Sequence, residues 1–410
     1  MSDPPVLRSL STAQYRLGFE LMGPILAECC HAVYAYLDVA ADGDRSRVLY
    51  CARGGLMLKR ALERFLERIG RTPPIAGEDF MVSRLAASRL ALEVCPERVA
   101  PLLALEFEGR SCAAVASVLS ATAVPSCGVW AQPYNFERLS KLMSTDVVGQ
   151  QVNQSMIEQA SLLREHIASI SIDSESLHVV DTGVFGSIGH YLALGLPDRS
   201  LHSVMLFRAN YRKQARLQLP VARGLVCNED YYLPWKPRSV SRLYWPFIEA
   251  LFEPKLPSVR TFRRTLDGEV LSNLQQPNWR ERLSWDGNPI RAGAFDYLAT
   301  LDPASVPAIV QKSTNAWRAL RKRIVYPSQE DMVLLGVSQR GVDFGFDDLV
   351  SFGGNDSHPN LLSRIIGIRT SIWPEGEIRR AFPETAGLLL RVLETKRAIS
   401  AVTRAMFRVS

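Results

Sequence analysis

Asp181 and Thr182 close an apolar run at residues 177–180, and Gly183, Gly186 and Gly189 follow at three-residue spacing before another apolar segment. This reads as a buried strand, a glycine-rich turn and the start of a helix. A carboxylate at a strand end can hold Mg²⁺ or accept a proton. The bare N–H groups of Gly186 and Ser187, opening a helix, suit an anion such as a phosphate. The pattern describes a small-molecule site and by itself names no substrate.

Other residues with chemistry to offer also stand where apolar runs end. They are Arg53 with Gly54 and Gly55, then Ser83 with Arg84, then Arg208. Ligands of open α/β sheets bind outside the carboxyl ends of the strands, so these residues are expected on one edge with Asp181 and Thr182. Three guanidiniums, a hydroxyl pair and one carboxylate make up a polyphosphate site with a metal-binding or base-like Asp. Singly, each arginine reads as a surface ion pair, and the convergence carries the expectation. Glu249 is a lone acid in an aromatic, apolar stretch (YWPFIEALFEP). Apolar surroundings raise a carboxylate's pKa and suit it to proton transfer, while a buried structural Glu paired with an Arg fits equally well. The basic cluster Arg208, Arg212, Lys213 and Arg216 reads first as a solvated helix face, with a phosphate or membrane contact as the functional alternative. His190 reads as a helix-packing histidine.

Several chemistries are set aside. The Asp181-Thr182-Gly183 triplet of aspartic proteases occurs once, without the second carboxylate that must share the proton. The chain has no Gly-Lys-Ser/Thr phosphate loop and no Gly-x-Gly-x-x-Gly. No Ser-His-Asp order can be argued from its scattered histidines.

The elements that must position these residues alternate. Residues 11–40 read as a long helix or helix pair with Ser11 or Thr12 as cap and Pro24 as a break. Residues 47–52 (RVLYCA) read as a strand, and 56–69 as a helix with Leu58, Leu62, Phe65, Leu66 and Ile69 on one face. A second strand is expected at 79–82, leading into the helical AASRLALEV. The Asp181 strand is a third, 203–207 a fourth and 224–227 a fifth. Strands alternating with helices predict an α/β fold with a mostly parallel sheet and flanking helices. Beyond Glu253 the pattern turns mainly helical, as at 316–324 and 385–402. This predicts a core over 1–255 and a helical C-terminal portion over 256–410, packed on the core and contributing to acceptor binding, with a boundary near Pro254 and Pro257.

The chain has 410 residues, 47% hydrophobic and 22% charged, which is a globular composition long enough for a large core. A formal charge of +6, rich in arginine, fits a polyanionic ligand, an anionic membrane surface or nucleic acid. The basic residues lack the interleaved aromatics of a nucleic-acid groove, so that class is disfavoured. Seven cysteines without a C-x-x-C pair read as buried thiols in a reducing compartment. Asp3 and two prolines stand where a signal peptide needs a basic start, so a cytoplasmic location is expected. Residues 111–135 carry no charge, but Pro125, Gln132 and Asn135 argue for a buried Ala-rich helix and a loop over a membrane span.

The succession LGFELMGPIL, RVLYCARGGLMLKRAL, VSRLAASRLA, VVDTGVFGSIGHYL, FIEALFEP and SIWPEG resembles one bacterial domain, in separated islands over residues 17–376. It is the glycan phosphoribosyltransferase domain of dual-domain ribofuranosyltransferases, which usually lies C-terminal to a haloacid-dehalogenase-like phosphatase. The VVDTGVFGSIG island is the most specific. The resemblance implies a donor, 5-phosphoribosyl 1-diphosphate, and transfer of phosphoribofuranose to a hydroxyl of a glycan or polyprenyl-linked acceptor. The product's 5-phosphate is then removed. Two departures stand out. Where the family reads Arg-Asp-Gly, this chain has Arg53-Gly54-Gly55, so a carboxylate is absent at 54. No Asp-x-Asp-x-Thr/Val motif opens the chain, so either a separate phosphatase acts on the product or the chain does something else with the same scaffold.

On this reading Arg53, Arg84 and Arg208, with Mg²⁺, stabilise the departing pyrophosphate, and Gly54, Gly55 and Ser83 line the donor site. The turn from Gly183 through Gly186, with Thr182 and Ser187, cradles the 5-phosphate. Asp181 binds metal, ribose hydroxyls or the acceptor's proton, and Glu249 is the second candidate base. A lipid-linked acceptor would bring the protein to the inner face of the cytoplasmic membrane. Two alternatives remain: a transferase using a nucleotide- or lipid-linked sugar, and a catalytically silent assembly subunit of a polysaccharide pathway.

Overall fold

Glycines let the first helices pack backbone against backbone. Helix α1 (Pro5–Leu17) passes through a π-helical turn, Gly18–Met22, into α2 (Gly23–Ala40), with Pro24 directly after that turn, so the expected break at Pro24 is a change of helical pitch and the chain continues as helix. The helix thus begins before Ser11 and Thr12, which lie inside it and not at its start. A β-carbon at Gly18 would lie 2.1 Å from the Ile290 carbonyl oxygen, and one at Gly293 would lie 2.2 Å from that of Tyr15. The computed structural model of the chain describes residues 5–41, 45–172, 174–208, 223–336, 339–341, 344–346, 349–351 and 360–407. Arg212, Lys213 and Arg216 lie outside the described residues.

The sheet follows. Strand β1 (Ser46–Cys51) leads directly into α3 (Gly54–Ile69). Leu58, Leu62, Phe65, Leu66 and Ile69 of α3 are buried, while Glu63 and Glu67 face solvent. Each buried Leu or Phe contributes roughly 1.5–3 kcal/mol. Gly70 ends the helix at φ 67°, with the Arg71 N–H returning to the Leu66 carbonyl at 2.9 Å. Strand β2 (Gly77–Phe80) begins two residues earlier than its apolar run suggested. Then come α4 (Arg84–Val94), α5 (Pro96–Glu106), α6 (Cys112–Ser120), α7 (Phe136–Thr145) and α8 (Val147–Ile170). Strand β3 (Ser176–Asp181), α9 (Ser187–Gly195), β4 (Ser200–Phe207) and β5 (Arg223–Cys227) complete the core.

The five strands are all parallel, in the order β2-β1-β3-β4-β5. Strand order therefore reverses between β1 and β3, the place where open α/β sheets form a crevice. Tyr50 pairs with Val180, so the chain leaves both strands at the same level. The predicted α/β fold, with its mostly parallel sheet, is the fold observed.

The remainder is mainly helical: α10 (Trp245–Ala250), the hairpin β6 (Phe262–Arg264) and β7 (Val270–Ser272), α11 (Pro289–Ala299), α12 (Ile309–Val325) and α13 (Gln329–Leu334). The short pair β8 (Gln339–Gly341) and β9 (Leu349–Ser351), then α14 (Leu361–Thr370), α15 (Pro374–Ala381) and α16 (Ala386–Phe407), complete it. The apolar core continues across residues 254–257: Leu26 of α2 and Trp317 of α12 belong to the same buried cluster. A buried carboxylate ties these helices. Glu28 accepts from Arg238 Nε at 2.8 Å, Ser313 Oγ at 2.6 Å and Trp317 Nε1 at 2.8 Å, so the acid is satisfied on both oxygens. All seven cysteines are unpaired, five of them buried. Among the described residues no helix is long and apolar enough to cross a membrane, and the uncharged stretch at 111–135 holds the nine-residue α6 and a 3-10 turn at Gly128–Ala131.

Candidate functional site

Three helices, α3, α4 and α9, start at the carboxyl edge of the sheet, directly after β1, β2 and β3. The positive ends of their dipoles make that edge electropositive. Gly54 and Thr182 meet at the switch point: a β-carbon at 54 would lie 1.9 Å from Thr182 Oγ1. Thr182 itself is buried. A carboxylate at position 54, expected from the resemblance, therefore has no room while Thr182 keeps its rotamer.

Asp181 turns back on its own loop. Its Oδ1 accepts the Gly183 N–H at 2.9 Å, an Asx-type turn that shapes the glycine segment. Burial raises its pKa above the ordinary carboxylate value, opposed by the Gly183 N–H and by the Arg84 charge. Gly186 stands at φ 67° as the N-cap of α9, a conformation that favours glycine, and the half-buried Ser187 follows.

Each of the three arginines is held by an acid. Arg53 donates from Nη2 to Glu253 Oε1 at 3.1 Å and from Nη1 to the Leu256 carbonyl at 3.0 Å. Arg84 pairs with the buried Glu106 at 3.4 Å and lies over the Phe344 ring at 5.8 Å. Arg208 donates to Asp230 at 3.2 Å and more weakly to Asn228 at 3.4 Å. The edge is thus a set of ion pairs around Asp181, where the sequence suggested open guanidiniums. Ser83 is likewise committed: its hydroxyl caps α4 by accepting the Ala86 N–H at 3.2 Å and donates to the Val259 carbonyl at 2.6 Å.

These contacts reveal an element invisible in the sequence pattern. Residues 245–260 form a strap over the edge. Trp245 packs edge-on against Phe185, after β3, with ring centroids 5.9 Å apart. Glu253 and Leu256 then hold Arg53, after β1, and Val259 holds Ser83, after β2. Glu249 lies on α10 within this strap, half-buried, between Trp245 and Glu253. Glu106, Asp230 and Glu253 were not singled out as partners. The two acids four residues apart in FIEALFEP were the available signal for Glu253. His190 lies on α9, half-buried, its pKa lowered by burial and by Arg98.

Among the described residues no three His, Cys, Asp or Glu side chains gather as metal ligands. A Mg²⁺ carried in on a diphosphate needs only one or two protein carboxylates. Asp181 fits that part, because a cation would offset the burial that raises its pKa.

Compared with protein-family models and with curated proteins, the chain matches none.

Proposed function

We propose that this chain is a phosphoribosyltransferase of the glycosyltransferase type, moving 5-phosphoribose from 5-phosphoribosyl 1-diphosphate to a hydroxyl of a glycan or polyprenyl-linked acceptor in cell-envelope polysaccharide synthesis. The observation that carries the reading is the switch point. There Asp181 and Thr182, the glycine turn and the N-terminus of α9 stand at the same sheet edge as Arg53 and Arg84. In the reaction the acceptor oxygen bonds to the anomeric carbon as the bond to the diphosphate oxygen breaks, and pyrophosphate departs. The transition state is oxocarbenium-like, so stabilising the leaving group matters more than a strong nucleophile.

The 5-phosphate would sit on the N–H groups of residues 186–187, and Arg53, Arg84 and Arg208 would face the pyrophosphate. Mg²⁺, bound with the donor and held by Asp181, would neutralise developing charge on the leaving group. If Asp181 instead takes the acceptor's proton, its raised pKa suits it to that task, and Glu249 is the other candidate. A separate phosphatase would then remove the 5-phosphate.

A second reading, a silent assembly or binding subunit, is favoured by one observation: every arginine at the edge already has a carboxylate partner. One experiment separates the readings. The protein is incubated with phosphoribosyl diphosphate, Mg²⁺ and a polyprenyl-phosphate acceptor, and pyrophosphate release is followed for the native chain and for Asp181→Asn. Release that depends on acceptor and on Asp181 supports transfer. Absence of release, with Asp181→Asn still supporting polysaccharide synthesis in cells, overturns it.

A further inference from the structure

Among the described residues, 21 large hydrophobic side chains are exposed, and ten of them lie on α14 and α16. Single apolar residues on a surface need no explanation, but such a concentration marks a contact surface. On α14, Leu361, Leu362, Ile365 and Ile366 are 44–66% exposed, and no residue of that helix is buried. At 3.6 residues per turn these four cover about 140° of its circumference. On α16, Leu388, Val392, Ile399, Val402 and Met406 are exposed and fall within roughly 80° of one another. The buried Ala386, Leu390 and Ala401 lie on the opposite side of that helix. Ala386 and Leu390 pack with Ile378 of α15, and Ile368 of α14 joins the same cluster. Both helices are thus anchored at one small cluster and leave an apolar face uncovered.

Charge selects what covers them. Helix α14 contains no acid, and its Arg369 is exposed. The one acid of α16, Glu394, is buried and taken by Arg321 and Tyr232. Arg391 and Lys396, both exposed, flank the α16 stripe on its two sides. A second copy of the chain meeting this stripe would bring like charges together. The arc on α14 is also wider than the narrow seam that a single partner helix fills. A lipid surface meets both conditions, since acyl chains accept the apolar arcs and anionic headgroups accept the flanking cations.

We infer that α14 and α16 dock the protein on an anionic membrane surface, lying in the interface plane with Arg369, Arg391 and Lys396 at the headgroups. The inference does not rest on the transfer reading, and its test contains neither donor nor acceptor.

The full-length protein is mixed with vesicles of phosphatidylcholine, alone or with an equal part of phosphatidylglycerol, and the bound fraction is measured by co-sedimentation. Binding to the mixed vesicles should be at least about tenfold tighter. Two variants, Leu362→Asp with Ile366→Asp and Val392→Asp with Ile399→Asp, place charges on exposed faces. Each should weaken that binding by about tenfold or more at an unchanged melting temperature. Arg391→Gln with Lys396→Gln should weaken binding to the mixed vesicles by about tenfold and leave that to phosphatidylcholine unchanged. The inference is overturned by equal binding to the two kinds of vesicle or by unchanged binding of any of the three variants. A dimer in sedimentation velocity that Val392→Asp with Ile399→Asp dissociates would overturn it as well.

Discussion

Gly54 and Thr182 approach so closely that a β-carbon on the glycine would lie 1.9 Å from the threonine hydroxyl oxygen. The contact joins the ends of β1 and β3 at the switch point. Gly54→Ala should therefore cost about 1–3 kcal/mol, the usual range for overpacking. Thr182→Ala leaves only Cβ, at 3.1 Å, and should recover part of that loss. A double-mutant cycle by urea unfolding measures the coupling. Additive losses would show that the two residues do not constrain each other.

Asp181→Asn should separate stability from function. A folded-state pKa raised above the unfolded value means that the group's contribution is full at acid pH and lost as pH rises through the folded pKa. Ionising the carboxylate in the folded protein is thus a cost. The amide should hold or raise the melting temperature near pH 7 and abolish transfer. A clear drop in melting temperature would mean that the carboxylate holds the turn together.

The strap should respond to Arg53. Its pair with Glu253 is about a quarter exposed on each side, so screening limits its worth, but the Leu256 carbonyl contact adds to it. Arg53→Ala should cost about 1–2 kcal/mol and expose residues 251–260 to limited proteolysis. Unchanged cleavage there would show that the strap is held without Arg53.

Acid should loosen the fold through two histidines. His166 Nε2 accepts the Met81 N–H at 3.1 Å, which requires a neutral ring, and burial pushes its pKa down to about 4. His178, stacked on His202 at 4.9 Å, is lowered to about 4 by burial and by that neighbour's charge. Unfolded histidine titrates near 6.5, so the stabilisation is complete above that pH and lost as pH falls from 6.5 to about 4. Each contributes up to about 3 kcal/mol. Urea unfolding at pH 7, 5.5 and 4.5 should show the decline, and His166→Gln should flatten it. A flat profile in the native chain would contradict this account.

The five strands and the helices after β1, β2 and β3 were legible because each rests on local periodicity: the RVLYCA run became β1, and the spacing from Leu58 to Ile69 became α3. The turn from Asp181 to Gly189 was legible for the same reason. The start of α1 was missed because Ser11 and Thr12 satisfy a capping pattern that the interior of the helix also tolerates. The partners of the arginines were not legible. Arg53 and Glu253 are 200 residues apart, and no spacing rule links them.

The sequence by itself determined which residues end the strands and where backbone N–H groups lie bare, since apolar period and glycine content act over a few residues. Only the tertiary structure decided the order β2-β1-β3-β4-β5, the crossing of residues 245–260 over the sheet edge, and the acid beside each arginine. These depend on which surfaces pack together once the core forms, and a buried or half-buried charge then takes whichever opposite charge the packing leaves within reach.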